Sequence, residues 1–161
     1  MVLALALSAE LIGVTDLRPL DTEESPFHYT FKVQCTSCRE THPNWVTLNR
    51  FEMNEVSGSR GEANFVWKCK NCKREHSANI KAAPASYGMS DPPKTVNILE
   101  FDCRGLEFTE FRADGEFLAT GAESNTKFTG VELTEGEWFD YDEKAGEEVS
   151  ITNVKWAIRR A

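Results

Sequence analysis

The chain has 161 residues, of which 40% are apolar and 11% aromatic; this composition is typical of an ordinary globular protein and excludes a disordered chain. No stretch approaches the roughly 18 consecutive apolar residues that a membrane-spanning helix requires, so we expect no membrane association. The formal net charge of −8 argues against a protein built mainly to bind nucleic acid.

The opening stretch MVLALALSAEL predicts a β-strand. Its leucines stand at odd positions, and this period of two places one face of a strand against a core. The stretch imitates the apolar part of a secretory signal peptide, but it lacks a basic start. The five cysteines, four of them in Cys-x-x-Cys pairs, also fit a secreted disulfide framework poorly. We therefore expect a cytoplasmic protein.

The segment 27–82 continues with strand signals and is basic. FHYTFKVQC alternates apolar with polar residues, while WVTLNRF and ANFVWKC are rich in β-forming residues. Nine lysines and arginines in this segment stand against five glutamates, whereas residues 1–26 and 83–161 are acidic. We interpret these stretches as antiparallel strands.

Two similar motifs within this segment, VQCTSCRETH and VWKCKNCKREH, predict a metal site. Each contains Cys-x-x-Cys, which places two sulfurs at one bend of the chain, and two such bends complete a tetrahedral zinc site of four cysteines. We expect one structural Zn²⁺ per chain. The predicted ligands are Cys35, Cys38, Cys69 and Cys72.

Two other interpretations use the same cysteines. A redox pair would prefer a βαβ setting, which the sequence does not indicate. Two separate sites, each completed by His42 or His76, would have three ligands apiece and an open position. Because four sulfurs already satisfy one zinc, we expect both histidines to be exposed polar residues beside the site. We also expect His28 to lie at the surface.

The remaining part of the chain predicts a linker and a second β half. Residues 83–93, rich in Pro, Gly and Ser, separate a zinc-bearing half, 1–82, from a half without metal, 94–161. TVNILEFDC and GEEVSITNVKWAI predict strands, and RADGEF predicts a tight hairpin at Asp114 and Gly115. FKVQC and LEFDC share apolar alternation and a final cysteine, a faint repeat that fits the expectation of two related, pseudo-duplicated halves within one compact unit.

Two features of the second half have alternative interpretations. In EGEWFDYDEK we expect Trp138, Phe139 and Tyr141 to pack against the adjoining strand while the acids face water; the alternative is an exposed anchor for a partner. We expect Cys103 to be a buried small residue, and the alternative is a reactive or metal-passing thiol.

The order CTSC, CKNC, FDCRGLE and DYDEKAGEEVSI, together with the opening LSAELIGVTDLRP, resembles the eukaryotic family of CXXC-motif-containing zinc-binding proteins over nearly the whole chain. The resemblance implies an all-β protein of two related halves, with one zinc bound by the residues that match the four cysteines named above. It implies no catalytic residues.

We expect a non-enzymatic zinc-stabilised β protein that works as a protein-interaction module or adaptor. The chain shows no nucleophile paired with a base and no phosphate-binding glycine loop. It is predicted to be a monomer with an unidentified protein partner. The alternatives are a zinc-ribbon-like nucleic-acid binder that uses the basic segment, and a metal-handling or thiol-redox protein. The cations beside the cysteines either neutralise the zinc thiolates or form a binding surface; they are Arg39, Lys68, Lys70, Lys73 and Arg74.

Overall fold

The computed structural model describes residues 1–58 and 61–161, and every regular element in them is a β-strand, so the predicted all-β fold is confirmed. Across these residues no helix is long and apolar enough to cross a membrane. The strands are β1 (Val2–Ile12), β2 (Val14–Pro19), β3 (Tyr29–Cys35), β4 (Val46–Leu48), β5 (Asn54–Glu55), β6 (Glu62–Ala63), β7 (Phe65–Lys68), β8 (Glu75–Ile80), β9 (Val96–Arg104), β10 (Leu106–Arg112), β11 (Phe117–Gly121), β12 (Lys127–Val131), β13 (Trp138–Asp142) and β14 (Glu147–Arg160).

The largest sheet has six strands in the order β13-β14-β1-β9-β8-β7. β1 lies inside it and runs antiparallel to both β14 and β9. The predicted opening strand is confirmed, but the alanines between its leucines, Ala4 and Ala6, are buried as well. A strand that is covered on both faces needs apolar residues at successive positions, and the run LALAL provides them.

Strands from the two sequence halves share the three larger sheets. β3 lies between β10 and β4, β11 lies between β12 and β2, and β5 pairs with β6 in a small ribbon. The predicted linker is fixed to the first half, because the buried Tyr87 pairs through its backbone with Leu17 and its hydroxyl accepts a hydrogen bond from the N–H of Ala9. The expected pseudo-duplication is not confirmed, since no sheet of three or more strands belongs to one half alone within the described residues.

The hairpin predicted at Asp114 and Gly115 is wrong. The strands on either side, β10 and β11, belong to different sheets, so residues 113–116 carry the chain from one sheet to another. Gly115 has φ +123°, and a Cβ there would lie 2.8 Å from the ring of Phe27. The glycine of this pair therefore lets the backbone lie close to a core aromatic ring, and the pair does not close a two-stranded hairpin.

Three phenylalanines pack the β3 sheet against the six-stranded sheet. Phe31 of β3 stacks on Phe108 of β10 at 4.4 Å, and its ring meets Phe101 of β9 edge-on at 5.3 Å. All three side chains are buried, and each contributes about 1.5–3 kcal/mol through burial. This contact fixes the end of β3, where Cys35 lies, relative to the strands of the large sheet.

Candidate metal centre

The two Cys-x-x-Cys motifs form the same backbone turn. We call residues 35–40 and 69–74 the first and second knuckles. In the first, the N–H of Arg39 donates to the carbonyl of Cys35 at 2.9 Å; in the second, the N–H of Lys73 donates to the carbonyl of Cys69 at 2.9 Å. The N–H of each of these cysteines in turn donates to the carbonyl five residues later, at 3.0 and 2.9 Å. The similar sequences thus give closely matching bends.

Each knuckle contains one residue in the left-handed backbone region, directly after its second cysteine. Arg39 has φ +65° and Lys73 has φ +64°. A non-glycine residue in this region costs roughly 1–2 kcal/mol, so the surrounding hydrogen bonds have to hold it there. This conformation turns the chain back sharply and leaves both sulfurs of a knuckle on the same side.

The sulfurs of Cys35, Cys38, Cys69 and Cys72, which we call the cysteine cluster, all lie within 4.8 Å of one another. The Sγ atoms of Cys35 and Cys72 are 3.6 Å apart, and those of Cys38 and Cys69 are also 3.6 Å apart. A regular tetrahedron of thiolates at the zinc–sulfur distance of about 2.3 Å has edges of about 3.8 Å. The cluster is therefore close enough to hold one metal ion, and its soft thiolate donors suit zinc.

The knuckles meet because two sheets end at the same place. The first knuckle follows β3, whereas the second joins β7 to β8 in the six-stranded sheet. The N–H of Thr36 donates to the carbonyl of Gly105 at 3.0 Å, which ties the first knuckle to the turn between β9 and β10. The thirty residues between the two motifs thus bridge sheets that the phenylalanine contacts already hold together.

His76 does not lie at the surface, and the expectation of exposure is wrong. Its side chain is 7% exposed, and its Nε2 lies 3.2 Å from the Sγ of Cys35. It is the second residue of β8 and shares the inward face with Ala78, which is also buried. A thiolate has no hydrogen to give, so toward a metal-bound Cys35 the imidazole N–H is the donor. Burial, and then Arg74, lower the pKa of His76.

Gly105 makes room for His76. It has φ +82°, and a Cβ at this position would lie 2.0 Å from the Nδ1 of His76. Any side chain would therefore collide with the imidazole that contacts Cys35. This glycine belongs to the CRGLE segment, where its only sequence signal is a glycine between two strand patterns.

The other two histidines are not in contact with the sulfurs. His42 is half-buried, which differs from the expected exposure, and its ring lies edge-on to Trp67 at 5.8 Å. Burial lowers the pKa of His42, and Lys70 and Lys32 lower it further. His28 is exposed, as predicted. The described contacts therefore give only His76 a sulfur neighbour.

The pKa values of the two half-buried thiols are shifted in opposite directions. A hydrogen bond from the Asn71 side chain, with one from the backbone of Glu40, lowers the pKa of Cys38 to about 6. The backbone of Arg74 acts in the same sense on Cys72, but burial and the three neighbouring thiols outweigh it and raise the pKa of Cys72 to about 11. Asn71 lies inside the CKNC motif, and no pattern in the sequence marks it as a partner of the Cys38 thiol.

The cations beside the cysteine cluster face solvent. Lys68, Lys70, Lys73 and Arg74 are all exposed. Arg39 is also exposed and pairs with Glu107 at 3.1 Å. A Zn²⁺ ion with four thiolates carries a formal charge of about −2, and these cations lie where they offset it.

Two further predictions concern residues away from the cluster. Cys103 is 2% exposed on β9, and burial raises the pKa of its thiol to about 12, so the expected buried residue is confirmed. Trp138 packs edge-on against Phe128 at 5.4 Å. The expected packing is wrong for its neighbours, because Phe139 and Tyr141 are 64% and 51% exposed on the edge strand β13.

Comparison with known proteins gives consistent matches over the whole length. A family model described as CXXC motif containing zinc binding protein, eukaryotic, matches residues 4–159. A UPF0587 protein of Schizosaccharomyces pombe is 49% identical over 98% of both chains. A protein of Mus musculus named CXXC motif containing zinc binding protein is 40% identical over 94% of both chains. The crystal structure of C1orf123 superposes with a TM-score of 0.91 at 37% identity and covers 100% of both chains.

Proposed function

Since the chain belongs to the eukaryotic family of CXXC motif containing zinc binding proteins, we propose that the cysteine cluster holds one structural zinc ion in a non-enzymatic protein-interaction module. The observation that carries this proposal is the closed set of four sulfurs within 4.8 Å of one another. Four thiolates fill a tetrahedral zinc and leave no open position for water or substrate, which is the arrangement of structural sites.

The ion would act as a cross-link between sheets. Two of its ligands come from the knuckle after β3 and two from the knuckle between β7 and β8, which lie in different sheets. Structural zinc contributes folding free energy, on the order of 10 kcal/mol in small zinc peptides. Here that free energy would fix the orientation of both knuckles relative to the β core.

A fixed pair of knuckles presents cations to a partner. The knuckle surface consists of the exposed side chains Arg39, Lys70, Lys73 and Arg74, with the half-buried His42 beside them. This positive surface suits an acidic face of another protein, and salt should slow the association because the attraction is electrostatic.

Zinc content tests the ligand set. We expect about one zinc per chain by elemental analysis, loss of zinc on Cys38→Ser, and retention on His42→Ala, because the histidine does not contact a sulfur. Cys103→Ser is the matched control, since that cysteine lies outside the cluster. Two metals per chain, or zinc retained by Cys38→Ser, would contradict the proposal.

Charge reversal tests the knuckle surface. A partner captured by the zinc-loaded protein should bind the triple variant Lys70→Glu, Lys73→Glu, Arg74→Glu at least about tenfold more weakly, with zinc content unchanged. Lys127→Glu changes an exposed lysine on β12 and should leave the affinity unchanged. Equal binding by the triple variant would show that the partner docks elsewhere.

A further inference from the structure

Four large apolar side chains are strongly exposed at one end of the six-stranded sheet. We call them the apolar patch: Ile12 (60% exposed), Met89 (48%), Phe139 (64%) and Tyr141 (51%). They contribute little to the core, because about half or more of each side chain's surface is in water.

The members of the apolar patch are neighbours. Ile12 of β1 and Phe139 of β13 both lie opposite Ser150 of β14, so their side chains project from the same face of the sheet. Tyr141 lies two residues beyond Phe139 and therefore on that face as well. A cavity of about 660 Å³ is lined by Ile12, Phe139 and Tyr141, and another of about 600 Å³ by Ile12 and Met89. Ile12 lines both cavities, and we call the two cavities together the groove.

The opposite face of the same strands already supplies the core. Leu11 and Ile151 are buried there, and they lie opposite each other across β1 and β14. On a sheet with one solvated face, outward positions are normally polar. The bulky residues of the apolar patch are therefore not needed for packing, and a contiguous exposed apolar surface is typical of a binding site.

The groove is rimmed by acids. Glu10, Asp91 and Glu148 line the two cavities, and no lysine, arginine or histidine does so among the described residues. No ion pair of the described structure involves these three carboxylates, which we call the acidic rim. In the sequence around β13, residues 132–148 hold eight acids and one lysine.

We propose that the apolar patch and the acidic rim together bind a segment of a partner protein that carries bulky apolar side chains flanked by lysine or arginine. The apolar side chains would enter the two cavities, and the cations would pair with the rim carboxylates. A symmetric contact with a second copy of this chain would place two acidic rims against each other, which like-charge repulsion disfavours. Phosphate backbones are repelled in the same way.

This surface is separate from the knuckle surface and goes beyond the function proposed above. β13 and β7 are the two edges of the six-stranded sheet, with four strands between them. Neighbouring strands lie about 4.8 Å apart, so the two edges are about 24 Å from each other. Changes at the apolar patch should therefore leave the knuckles and their zinc unaffected.

Three short synthetic peptides of equal length test the proposal with the full zinc-loaded chain. The first alternates lysine or arginine with leucine or phenylalanine, the second replaces its cations by glutamate, and the third replaces its apolar residues by serine. Fluorescence anisotropy should show the first binding at least about tenfold more tightly than either of the others. In amide NMR spectra the first peptide should shift the signals of Ile12, Phe139 and Tyr141.

Substitutions at the surface identify the side chains that contribute to binding of the first peptide. Phe139→Ser and Tyr141→Ser should each weaken the first peptide about tenfold, and Glu148→Gln should weaken it and reduce its salt dependence. Met53→Ser is the control, because Met53 is 51% exposed, as Tyr141 is, but lies outside the patch. The triple knuckle variant should bind the peptide with unchanged affinity. A negative result for the apolar patch can therefore be distinguished from a negative result for the knuckle surface.

Several outcomes would overturn the proposal. These are equal binding of the first and second peptides, NMR shifts at another surface, or an unchanged affinity of Phe139→Ser. A concentration-dependent dimer in sedimentation experiments that dissociates on Phe139→Ser would also overturn it, and would assign the patch to a second copy of the chain.

Discussion

Replacing Gly105 by alanine should disturb the metal centre through His76. The added Cβ would lie 2.0 Å from the Nδ1 and 2.8 Å from the Cγ of that imidazole. The ring is 7% exposed and has the Sγ of Cys35 on its other side, at 3.2 Å from Nε2. Because the buried ring lies between Gly105 and that sulfur, the imidazole has to leave its place beside the sulfur or the backbone has to shift.

Gly146 is a matched control for this change. Its φ of +67° resembles the +82° of Gly105, but no atom of the described residues lies within 4 Å of an added Cβ. Both alanine variants lose roughly 1–2 kcal/mol of stability because a residue with a Cβ has to adopt a left-handed backbone conformation. This loss is partly offset by about 0.4–1 kcal/mol, because alanine reduces the conformational entropy of the unfolded chain. Gly105→Ala should destabilise the fold by about another 1–3 kcal/mol through overpacking, and by about 1.5–3 kcal/mol through loss of the hydrogen bond to a thiolate.

We therefore expect Gly146→Ala to lower the free energy of unfolding by about 1 kcal/mol and Gly105→Ala by at least about 3 kcal/mol. In a chain of this size, 1 kcal/mol corresponds to about 2–4 °C in Tm, so Gly105→Ala should lower Tm by at least about 6 °C. Circular dichroism of the zinc-loaded proteins measures this difference. Transfer of zinc to a chromogenic chelator should also be faster for Gly105→Ala.

The double variant His76→Ala, Gly105→Ala isolates the collision. Without the imidazole, Gly105→Ala should lower the free energy of unfolding by no more than Gly146→Ala does, because only the backbone contribution remains. Equal destabilisation by the two single glycine variants would refute the reasoning. So would a cost of Gly105→Ala that persists unchanged in the His76→Ala background.

Three further predictions concern other groups. A chromogenic disulfide reagent should reach Cys103 only after denaturation, whereas removing zinc with a chelator should expose the cysteine cluster; reaction of all five thiols in the native zinc-loaded protein would contradict this. The pKa of Asp142 is lowered, mainly by the hydrogen bond that Ser124 donates to its carboxylate. The ionised carboxylate should therefore stabilise the fold above its unfolded-state pKa of about 4. This stabilisation should be lost as the pH falls through the lower pKa of the native state. Urea unfolding of Asp142→Asn should then approach that of the parent protein in acid, and a constant difference at every pH would argue against this origin. Duplex DNA should bind weakly and without sequence preference, with most affinity lost by physiological salt; a nanomolar, sequence-selective complex there would favour the nucleic-acid alternative.

The convergence of the four cysteines could be predicted because Cys-x-x-Cys fixes the local geometry of a bend. The position of His76 could not be read from that motif, because it depends on the register of the strand that follows. The pattern EHSANI does contain a signal, since His76, Ala78 and Ile80 alternate toward one face. Counting residues from the second cysteine places His76 beside the knuckle, but only the alternation of β8 directs it inward.

Pairing between distant strands accounts for the other errors. Asp114 and Gly115 indicate a chain reversal, but a turn signal does not specify which sheet the next strand joins. WFDYD indicates a strand, but the exposure of Phe139 and Tyr141 follows from the position of β13 at a sheet edge. The burial of Ala4 and Ala6 follows from the interior position of β1. Each outcome depends on contacts between residues far apart in the sequence.

The interior position of β1 has a consequence during protein synthesis. β14, one of its two partners, begins about 135 residues after β1 ends, which at about 5–20 residues per second is a delay of about 7–27 s. Until then the apolar run LALAL lacks that partner, and an unpaired apolar strand is a template for aggregation. The run LALAL therefore stays open to such pairing until translation reaches the strand that covers it.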